Sequence, residues 1–240
     1  MFFVLKTDNI FRQSYFELLK YQLTRGSLQL ENISAEALNI QQSMSIFSQY
    51  SAINYIFQNG LDYSHIGFTN GLCELVRLVS NQEINGFRKT KAEVNGSKVE
   101  RSKPSMIRND LWYLVDDYNY MISQAKNTQE LFQIEAIFHI RFLHIHPFED
   151  ANGRTARIIL AYNLASHNLA PSVITPDKKR VYCDYIENGD YKGLANMFEE
   201  LSNKELKIMT SIYTNLDEKG LINSNKLTEE QLNELRKLGM

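Results

Sequence analysis

Apolar residues recur every three or four positions along most of the 240-residue chain, which is the spacing of one face of an α-helix. This pattern predicts helices over about residues 7–25, 34–58, 67–81, 105–126, 128–146 and 191–218. Arg25-Gly26-Ser27 is expected to end the first helix, and Ser34 to cap the second. A capping-box pattern at residues 228–231 predicts a short last helix. The chain is therefore predicted to be mainly α-helical.

The segment of about residues 88–101 has a different pattern, with short extended runs on either side of Asn95-Gly96. Asn-Gly is the preferred two-residue turn of a β-hairpin, and Val94 and Val99 are apolar positions of the two runs. These residues are therefore predicted to form a small surface β-hairpin.

The most informative stretch joins two helical patterns, one ending near Ile145 and one running to Leu169. Pro147 cannot lie inside a helix, and Asn152-Gly153 marks the start of the second helix. The first turn of a helix has unpaired main-chain N–H groups and the positive end of the helix dipole, and both favour a phosphate. The sequence therefore predicts an anion-binding loop between these two helices.

Side chains in the same stretch add further chemistry. Arg154 and Arg157 supply cationic donors, and Gly153 lets the main chain approach an anion closely. Asp150 is suited to hold a divalent cation such as Mg²⁺ against phosphate oxygens, and His146 can take a proton near neutral pH. A base, a metal carboxylate and a phosphate cradle within twelve residues indicate phosphoryl or nucleotidyl transfer.

The run from His146 to Arg154 resembles the signature of the Fic family, His-x-Phe-x-Asp/Glu-Ala/Gly-Asn-Gly/Lys-Arg, and matches it at every defined position. The resemblance implies a Fic-type helical bundle with a small β-hairpin flap over the active site. It also implies that His146 is the general base, that Phe148 anchors the loop in the core, and that Asp150 binds Mg²⁺. The phosphates of the nucleotide would be held by Ala151, Asn152, Gly153, Arg154 and Arg157.

Two further groups of residues follow from the same resemblance. The flap would bind a segment of the target protein as an added strand along the edge formed by Lys91, Ala92, Glu93 and Val94. Tyr182, Tyr185 and Asn188 would line the pocket for the adenine base, because rings stack on a base and an amide reads its edge. The alternative that these tyrosines pack in the core stays open.

Many Fic proteins carry an inhibitory helix with the pattern Ser/Thr-x-x-x-Glu-Gly/Asn, whose glutamate pairs with the second arginine of the signature. Residues 45–58 resemble a degenerate form of it, in which Asn54 stands at the position of the glutamate. Thr214 and Glu218 have the required spacing, but Lys219 follows where Gly or Asn is expected. Asn54 and Glu218 are therefore the two candidates for the inhibitory position, and constitutive activity stays open as well.

The resemblance implies a protein adenylyltransferase that transfers AMP from Mg-ATP to a Ser, Thr or Tyr hydroxyl of a target protein and releases pyrophosphate. Gly153, where the kinase-like branch has lysine, is similar to the AMP-transferring members. The alternatives are transfer of UMP, phosphocholine or phosphate, removal of AMP, a toxin controlled by an antitoxin, and a non-catalytic nucleotide-binding module. The expected partners are the target protein, the chain itself through self-modification, a second copy in a homodimer, or a separate inhibitory protein.

On this interpretation residues 1–85 are an N-terminal helical part, and residues 86–200 are the Fic core, with the flap at 88–101 and the signature loop at 146–157. Residues 201–240 are the C-terminal helices. A net charge of −2 gives no bulk electrostatic reason to expect nucleic-acid or membrane binding. No apolar run approaches the length of a membrane span, and the two cysteines fit no metal-ligand or thioredoxin spacing. A cytoplasmic location is expected, and secretion as an effector stays open.

Overall fold

The computed structural model describes residues 9–31, 40–83, 86–94 and 96–222, which contain eight α-helices. These are α1 (Asn9–Leu30), α2 (Ile40–Asn59), α3 (His65–Ser80), α4 (Ile107–Gln124), α5 (Thr128–Ile145), α6 (Asn152–Ser166), α7 (Lys179–Asn188) and α8 (Tyr191–Glu218). Single 3₁₀ turns at Pro104–Met106 and Pro176–Lys178 lead into α4 and α7. The mainly α-helical fold predicted from the sequence is confirmed.

Helix α5 lies at the centre of the fold, where it packs against α4, α6 and α8. Its buried Glu135 accepts hydrogen bonds from Tyr118 Oη of α4 at 2.7 Å and from Asn163 Nδ2 of α6 at 3.0 Å. Burial raises the pKa of Glu135 to about 7. Because buried polar groups must be satisfied, this network fixes the register of α5 and α6, the two helices that flank the predicted anion loop.

The predicted end of the first helix at Arg25-Gly26-Ser27 is wrong, because α1 continues to Leu30. Gly26 lies inside the helix, where a Cβ atom would come within 2.7 Å of the carbonyl oxygen of Ile174. The glycine therefore serves a close approach between α1 and the chain before α7, and it does not end the helix. This extra turn brings Ser27 and Glu31 towards α6.

The predicted β-hairpin is not borne out as a pair of strands, since residues 86–94 and 96–101 form no strand. The turn is present, with Ser97 N donating to Val94 O at 3.0 Å and Gly96 at a φ of 80°. The two arms are held by other elements: Arg88 N donates to Pro147 O, and Ser102 N donates to His144 O. The arms thus form a turn-containing flap whose base is attached to α5 and to the loop that follows it.

Helix α3 begins two residues earlier than predicted, at His65, because Ser64 caps it by accepting from Gly67 N. The predicted cap at Ser34 and the predicted helix at residues 228–231 lie outside the described residues. Residues of α1, α6 and α8 share one continuous buried core, and the proposed division at residues 85 and 200 stays a prediction. None of the helices described here has the length and apolar character that crossing a membrane requires.

Candidate active site

The predicted anion loop lies between the end of α5 and the start of α6, and both ends have left-handed main-chain conformations. His146 has a φ of 51° and Ala151 a φ of 66°, which are strained values for residues other than glycine. The side chain of Asn152 closes the loop, because its amide accepts from Phe148 N at 3.1 Å and donates to Phe148 O at 2.7 Å. The amide of Asn152 therefore shapes the loop.

Phe148 lies where an anchor of the loop is expected. Its side chain is only 1% exposed and packs against Phe87 with the ring centroids 5.5 Å apart. Removing a buried ring of this kind leaves a cavity that the strained loop would collapse into. The contact also joins the loop to the chain at the start of the flap.

The first turn of α6 presents main-chain donors to the loop. The first hydrogen bond within this helix runs from Thr155 N to Ala151 O at 2.9 Å, so the N–H groups of Asn152, Gly153 and Arg154 lie ahead of it. At Gly153 a Cβ atom would stand 3.1 Å from Arg157 Nη1. Glycine therefore lets the guanidinium of Arg157 lie against the first turn, beside the positive end of the helix dipole.

Both arginines of α6 are nearly buried, and both pair with the carboxylate of Glu31, the residue that follows α1. Arg157 Nη2 donates to Glu31 Oε1 at 3.0 Å, and Arg154 Nε lies 3.2 Å from Glu31 Oε2. Ser27, one turn earlier on α1, accepts from Arg157 Nε at 2.8 Å. The two oxygens of Glu31 thus lie across two guanidinium groups, as two oxygens of a phosphate would.

Asp150 stands at the rim of the same cluster. Its Oδ2 accepts from Arg154 Nη2 at 2.8 Å, its Oδ1 accepts from Ala151 N at 2.5 Å, and its side chain is 66% exposed. Proteins bind Mg²⁺ with one or two carboxylates plus substrate phosphates, and one exposed carboxylate beside an anion seat fits that mode. In the described part of the chain no group of three or more His, Cys, Asp and Glu side chains could hold a metal without a substrate.

His146 lies at the other end of the loop and is half-buried. Burial, together with the positive charges of Arg101 and Arg88, lowers the pKa of His146 to about 4. Its Nδ1 lies 3.4 Å from the carbonyl oxygen of Leu143, which can only accept a hydrogen bond. The ring is therefore neutral at pH 7 with the proton on Nδ1, and Nε2 is left as the basic atom.

The signature segment thus contains a neutral base, an exposed carboxylate and two arginines. This is the set of groups that the resemblance to the Fic family implies. Residues 69–164, which include the whole signature loop, match the model of the Fic/DOC family. The chain carries a Fic domain. The resemblance recognised from the signature at residues 146–157 is confirmed.

Solved structures confirm the Fic-type fold. A Fic domain-containing signaling protein from Bacteroides thetaiotaomicron superposes with a TM-score of 0.69 at 18% identity, covering 88% of this chain and 93% of that chain. Fic-1 from C. elegans superposes with a TM-score of 0.60 at 17% identity, covering 80% of this chain and 58% of that chain.

Two curated relatives are similar in sequence. A probable protein adenylyltransferase of Aquifex aeolicus is 26% identical over 155 residues, covering 55% of this chain and 47% of the relative. A protein adenylyltransferase of Bartonella henselae is 40% identical over 83 residues, covering 32% of this chain and 15% of the relative. The chain thus spans less than half the length of these relatives, and their names support a transferase at the level of the family.

The Fic inhibitory pattern is present in the sequence at a position that the sequence analysis missed. Ser27-Leu28-Gln29-Leu30-Glu31-Asn32 has the form Ser/Thr-x-x-x-Glu-Gly/Asn, and Glu31 is the residue that pairs with the second arginine, Arg157. A helix that ends at Arg25-Gly26-Ser27, as the sequence predicts, leaves this pattern outside any helix.

Neither of the two predicted inhibitory residues holds that place. Asn54 is half-buried on α2, and Glu218 is exposed at the end of α8. Among the described residues, neither makes a hydrogen bond or an ion pair with Arg157, which donates to Ser27 and Glu31 and also interacts with Tyr182. The structure therefore pairs Arg157 with Glu31 and with neither Asn54 nor Glu218.

The residues predicted to line the base pocket fall into three different environments. Tyr182 is buried, its hydroxyl lies 2.7 Å from His139 Nε2, and burial raises its pKa to about 12. The half-buried ring of Tyr185 packs on Gly193, where a Cβ atom would come within 2.4 Å of it. Asn188 is exposed and donates to Asp184 O within α7. Tyr182 thus takes the core position that was left open as the alternative.

The predicted docking edge of the flap has an alternating pattern of exposure. Lys91 and Glu93 are exposed, whereas Ala92 and Val94 are half-buried, as in a strand with one face covered. Among the described residues, the main chain of Lys91, Ala92 and Glu93 forms no hydrogen bond to another main-chain group. This edge therefore has main-chain donors and acceptors left for an added segment.

Proposed function

We propose that this chain is a protein adenylyltransferase that transfers AMP from Mg-ATP to a side-chain hydroxyl of a target protein. The observation that carries the proposal is the signature loop, which has a neutral imidazole at one end and an arginine-lined helix N-terminus at the other. The names of the curated relatives support the same activity. The edge at residues 91–94 is the proposed docking place of the target segment.

In the proposed reaction the hydroxyl oxygen of the target attacks the α-phosphorus of ATP. A new bond forms between these two atoms, the bond from the α-phosphorus to the bridging oxygen breaks, and pyrophosphate leaves. His146 Nε2 accepts the hydroxyl proton, for which it is suited because the ring is neutral at pH 7. The N–H groups of the first turn of α6 and the guanidinium of Arg154 stabilise the negative charge of the phosphoryl oxygens.

Asp150 is the proposed ligand of Mg²⁺. When bound there, the metal would neutralise phosphate charge and orient the leaving pyrophosphate. Asp150 also pairs with Arg154, so the carboxylate and the guanidinium hold each other in place before nucleotide binds.

Glu31 is the proposed inhibitory residue of this site. Its carboxylate forms ion pairs with both Arg154 and Arg157, so a triphosphate must displace it before the terminal phosphate can reach Arg157. Productive binding of ATP is therefore opposed by the loss of two charge-assisted contacts and by repulsion between the phosphate and the carboxylate.

The proposed activity is tested by incubating the protein with Mg²⁺ and α-labelled ATP, alone and with lysate, in a Glu31→Gly background. A labelled protein band is expected, and it should disappear when His146→Ala is added, because loss of a general base lowers such rates about 10²- to 10⁴-fold. Both variants should bind ATP equally. Label that survives His146→Ala would refute the role of His146 as the base. Label from UTP but not from ATP would refute AMP transfer.

A further inference from the structure

Arg88 is a buried arginine at the base of the flap that the signature does not include. Its guanidinium is 3% exposed, and no carboxylate of the described residues forms an ion pair with it. Burial lowers the pKa of Arg88. A buried guanidinium without an ion pair is rare, because hydrogen bonds must offset most of its desolvation. The nearby negative charge of Glu149 adds to these hydrogen bonds.

Four main-chain carbonyls surround this guanidinium. Arg88 Nε donates to His146 O at 2.6 Å, Nη1 donates to Thr90 O at 2.7 Å, and Nη2 donates to both Ile145 O at 3.1 Å and Ser102 O. The main-chain N–H of Arg88 also donates to Pro147 O at 2.9 Å. One residue thus contacts the carbonyls of three consecutive residues, 145–147, at the point where α5 changes into the signature loop.

These contacts hold a strained conformation. The last carbonyls of a helix lack partners within it, and a cation at this end also meets the negative end of the helix dipole. Arg88 donates to the last carbonyls of α5 and places a positive charge at the negative end of its dipole. It also fixes the carbonyl of His146, the residue with a φ of 51°. Since the direction of the imidazole depends on this φ, the contact sets where Nε2 points.

The same guanidinium joins the two arms of the flap. Thr90 lies on the arm that leads to residues 91–94, and Ser102 lies on the returning arm. The side chain of Thr90 also donates to Glu149 of the signature loop, with both carboxylate oxygens 3.0 Å from its hydroxyl. The base of the flap and the backbone of His146 therefore move as one hydrogen-bonded unit.

We infer that Arg88 is a positioning residue for this reaction, which fixes His146 and the target-docking edge of the flap in one geometry. The expected change in transfer rate rests on the proposed function. Lysine cannot replace Arg88, because three donors on a point charge cannot reach four carbonyls arranged around a planar guanidinium. Lysine keeps the positive charge, so Arg88→Lys tests the loss of the hydrogen-bond geometry without the loss of the charge.

The kinetic test compares Arg88→Lys and Arg88→Gln in the Glu31→Gly background, with Arg108→Lys on the exposed face of α4 as the matched control. We expect the rate of label transfer from α-labelled ATP under single-turnover conditions to fall about 10²-fold in Arg88→Lys, because a displacement of about 1 Å has this effect. ATP binding should stay at the level of the parent, and the control should transfer at the rate of the parent. A parental rate in Arg88→Lys overturns the inference.

A second measurement does not need transfer activity. Nitrogen NMR of the His146 ring reports its tautomer and its pKa in the same variants. We expect the parent to hold the proton on Nδ1, and Arg88→Lys to show a mixture of tautomers at an almost unchanged pKa. Arg88→Gln should in addition raise the pKa, because a nearby positive charge is removed. An unchanged tautomer in both variants overturns the inference, whereas a parent that transfers no label from any nucleotide refutes only the proposed function.

Discussion

The signature loop has two buried arginines at one end and one at the other, and the two ends differ in what these arginines contact. At the α6 end, Arg154 and Arg157 face the carboxylate of Glu31, the residue that follows α1. At the α5 end, Arg88 donates to neutral carbonyls of the chain next to it. A carboxylate on a separate segment can be exchanged for a phosphate of similar charge and shape, whereas main-chain carbonyls cannot leave. The α6 end is therefore suited to regulation and ligand binding, and the α5 end to fixing geometry.

Among substitutions around the arginines of α6, the largest effect is expected from replacing Glu31, because this removes the carboxylate that a phosphate can displace. Glu31→Gly should raise label transfer from ATP about 10- to 100-fold, because a hydrogen bond to a charged group contributes about 1.5–3 kcal/mol. Glu31→Gln, which keeps the shape and loses the charge, should give an intermediate rise. Quantified label transfer checks both. A Glu31→Gly protein no more active than the parent would show that this pair does not restrain the site.

The pH dependence of transfer in the Glu31→Gly protein tests the environment of His146. A histidine with its ordinary pKa near 6.5 would be about thirtyfold less available as a base at pH 5 than at pH 8. With the pKa of His146 lowered to about 4, the neutral form is kept down to pH 5 and is lost only as the pH falls through 4. We therefore expect a nearly constant single-turnover rate from pH 8 to pH 5. A decline centred near pH 6.5 would contradict this environment.

Ser27 should have a smaller effect than Glu31, because it is a neutral partner of the same guanidinium. Ser27→Ala removes the acceptor for Arg157 Nε, and such a bond contributes about 1 kcal/mol, or about fivefold in transfer rate. The rise in label transfer should therefore lie below that of Glu31→Gln. A rise as large as that of Glu31→Gly would indicate that Ser27 holds α1 in place by other contacts.

The smallest effect is expected at the two residues that the sequence alone suggested for inhibition. Asn54→Ala and Glu218→Ala should leave label transfer at the level of the parent, since neither side chain contacts Arg154 or Arg157 among the described residues. Their thermal unfolding serves as the control for intact folding. Activation by either variant would restore the earlier assignment and weaken that of Glu31.

The signature could be interpreted from sequence because its chemistry is local. His146, Asp150 and the arginines follow one another along a loop and one helix turn, so their spacing in sequence fixes their spacing in space. Finding the carboxylate that pairs with Arg157 required knowing that α1 continues through Gly26. That glycine is explained by the carbonyl of Ile174, which is far away in the sequence and leaves no local pattern.

The way in which the arms of the flap are held, and the contacts of Arg88, could not be predicted from the sequence for a related reason. The Asn95-Gly96 signal located the turn, but strand pairing depends on what holds the two arms. Here the arms are bound to α5 and the signature loop, through partners that are main-chain carbonyls. Every residue has a main-chain carbonyl, so no sequence pattern can predict which carbonyl a side chain contacts.

The central claim is that the carboxylate of Glu31 occupies the place of the terminal phosphate at Arg157. Calorimetric titration of ATP, ADP and AMP, each with Mg²⁺, into the parent and into Glu31→Gly tests it without any target protein. We predict that Glu31→Gly strengthens the binding of ATP markedly more than that of AMP, with Glu31→Gln between the two proteins. An equal change for all three nucleotides, or no change for ATP, would contradict the claim.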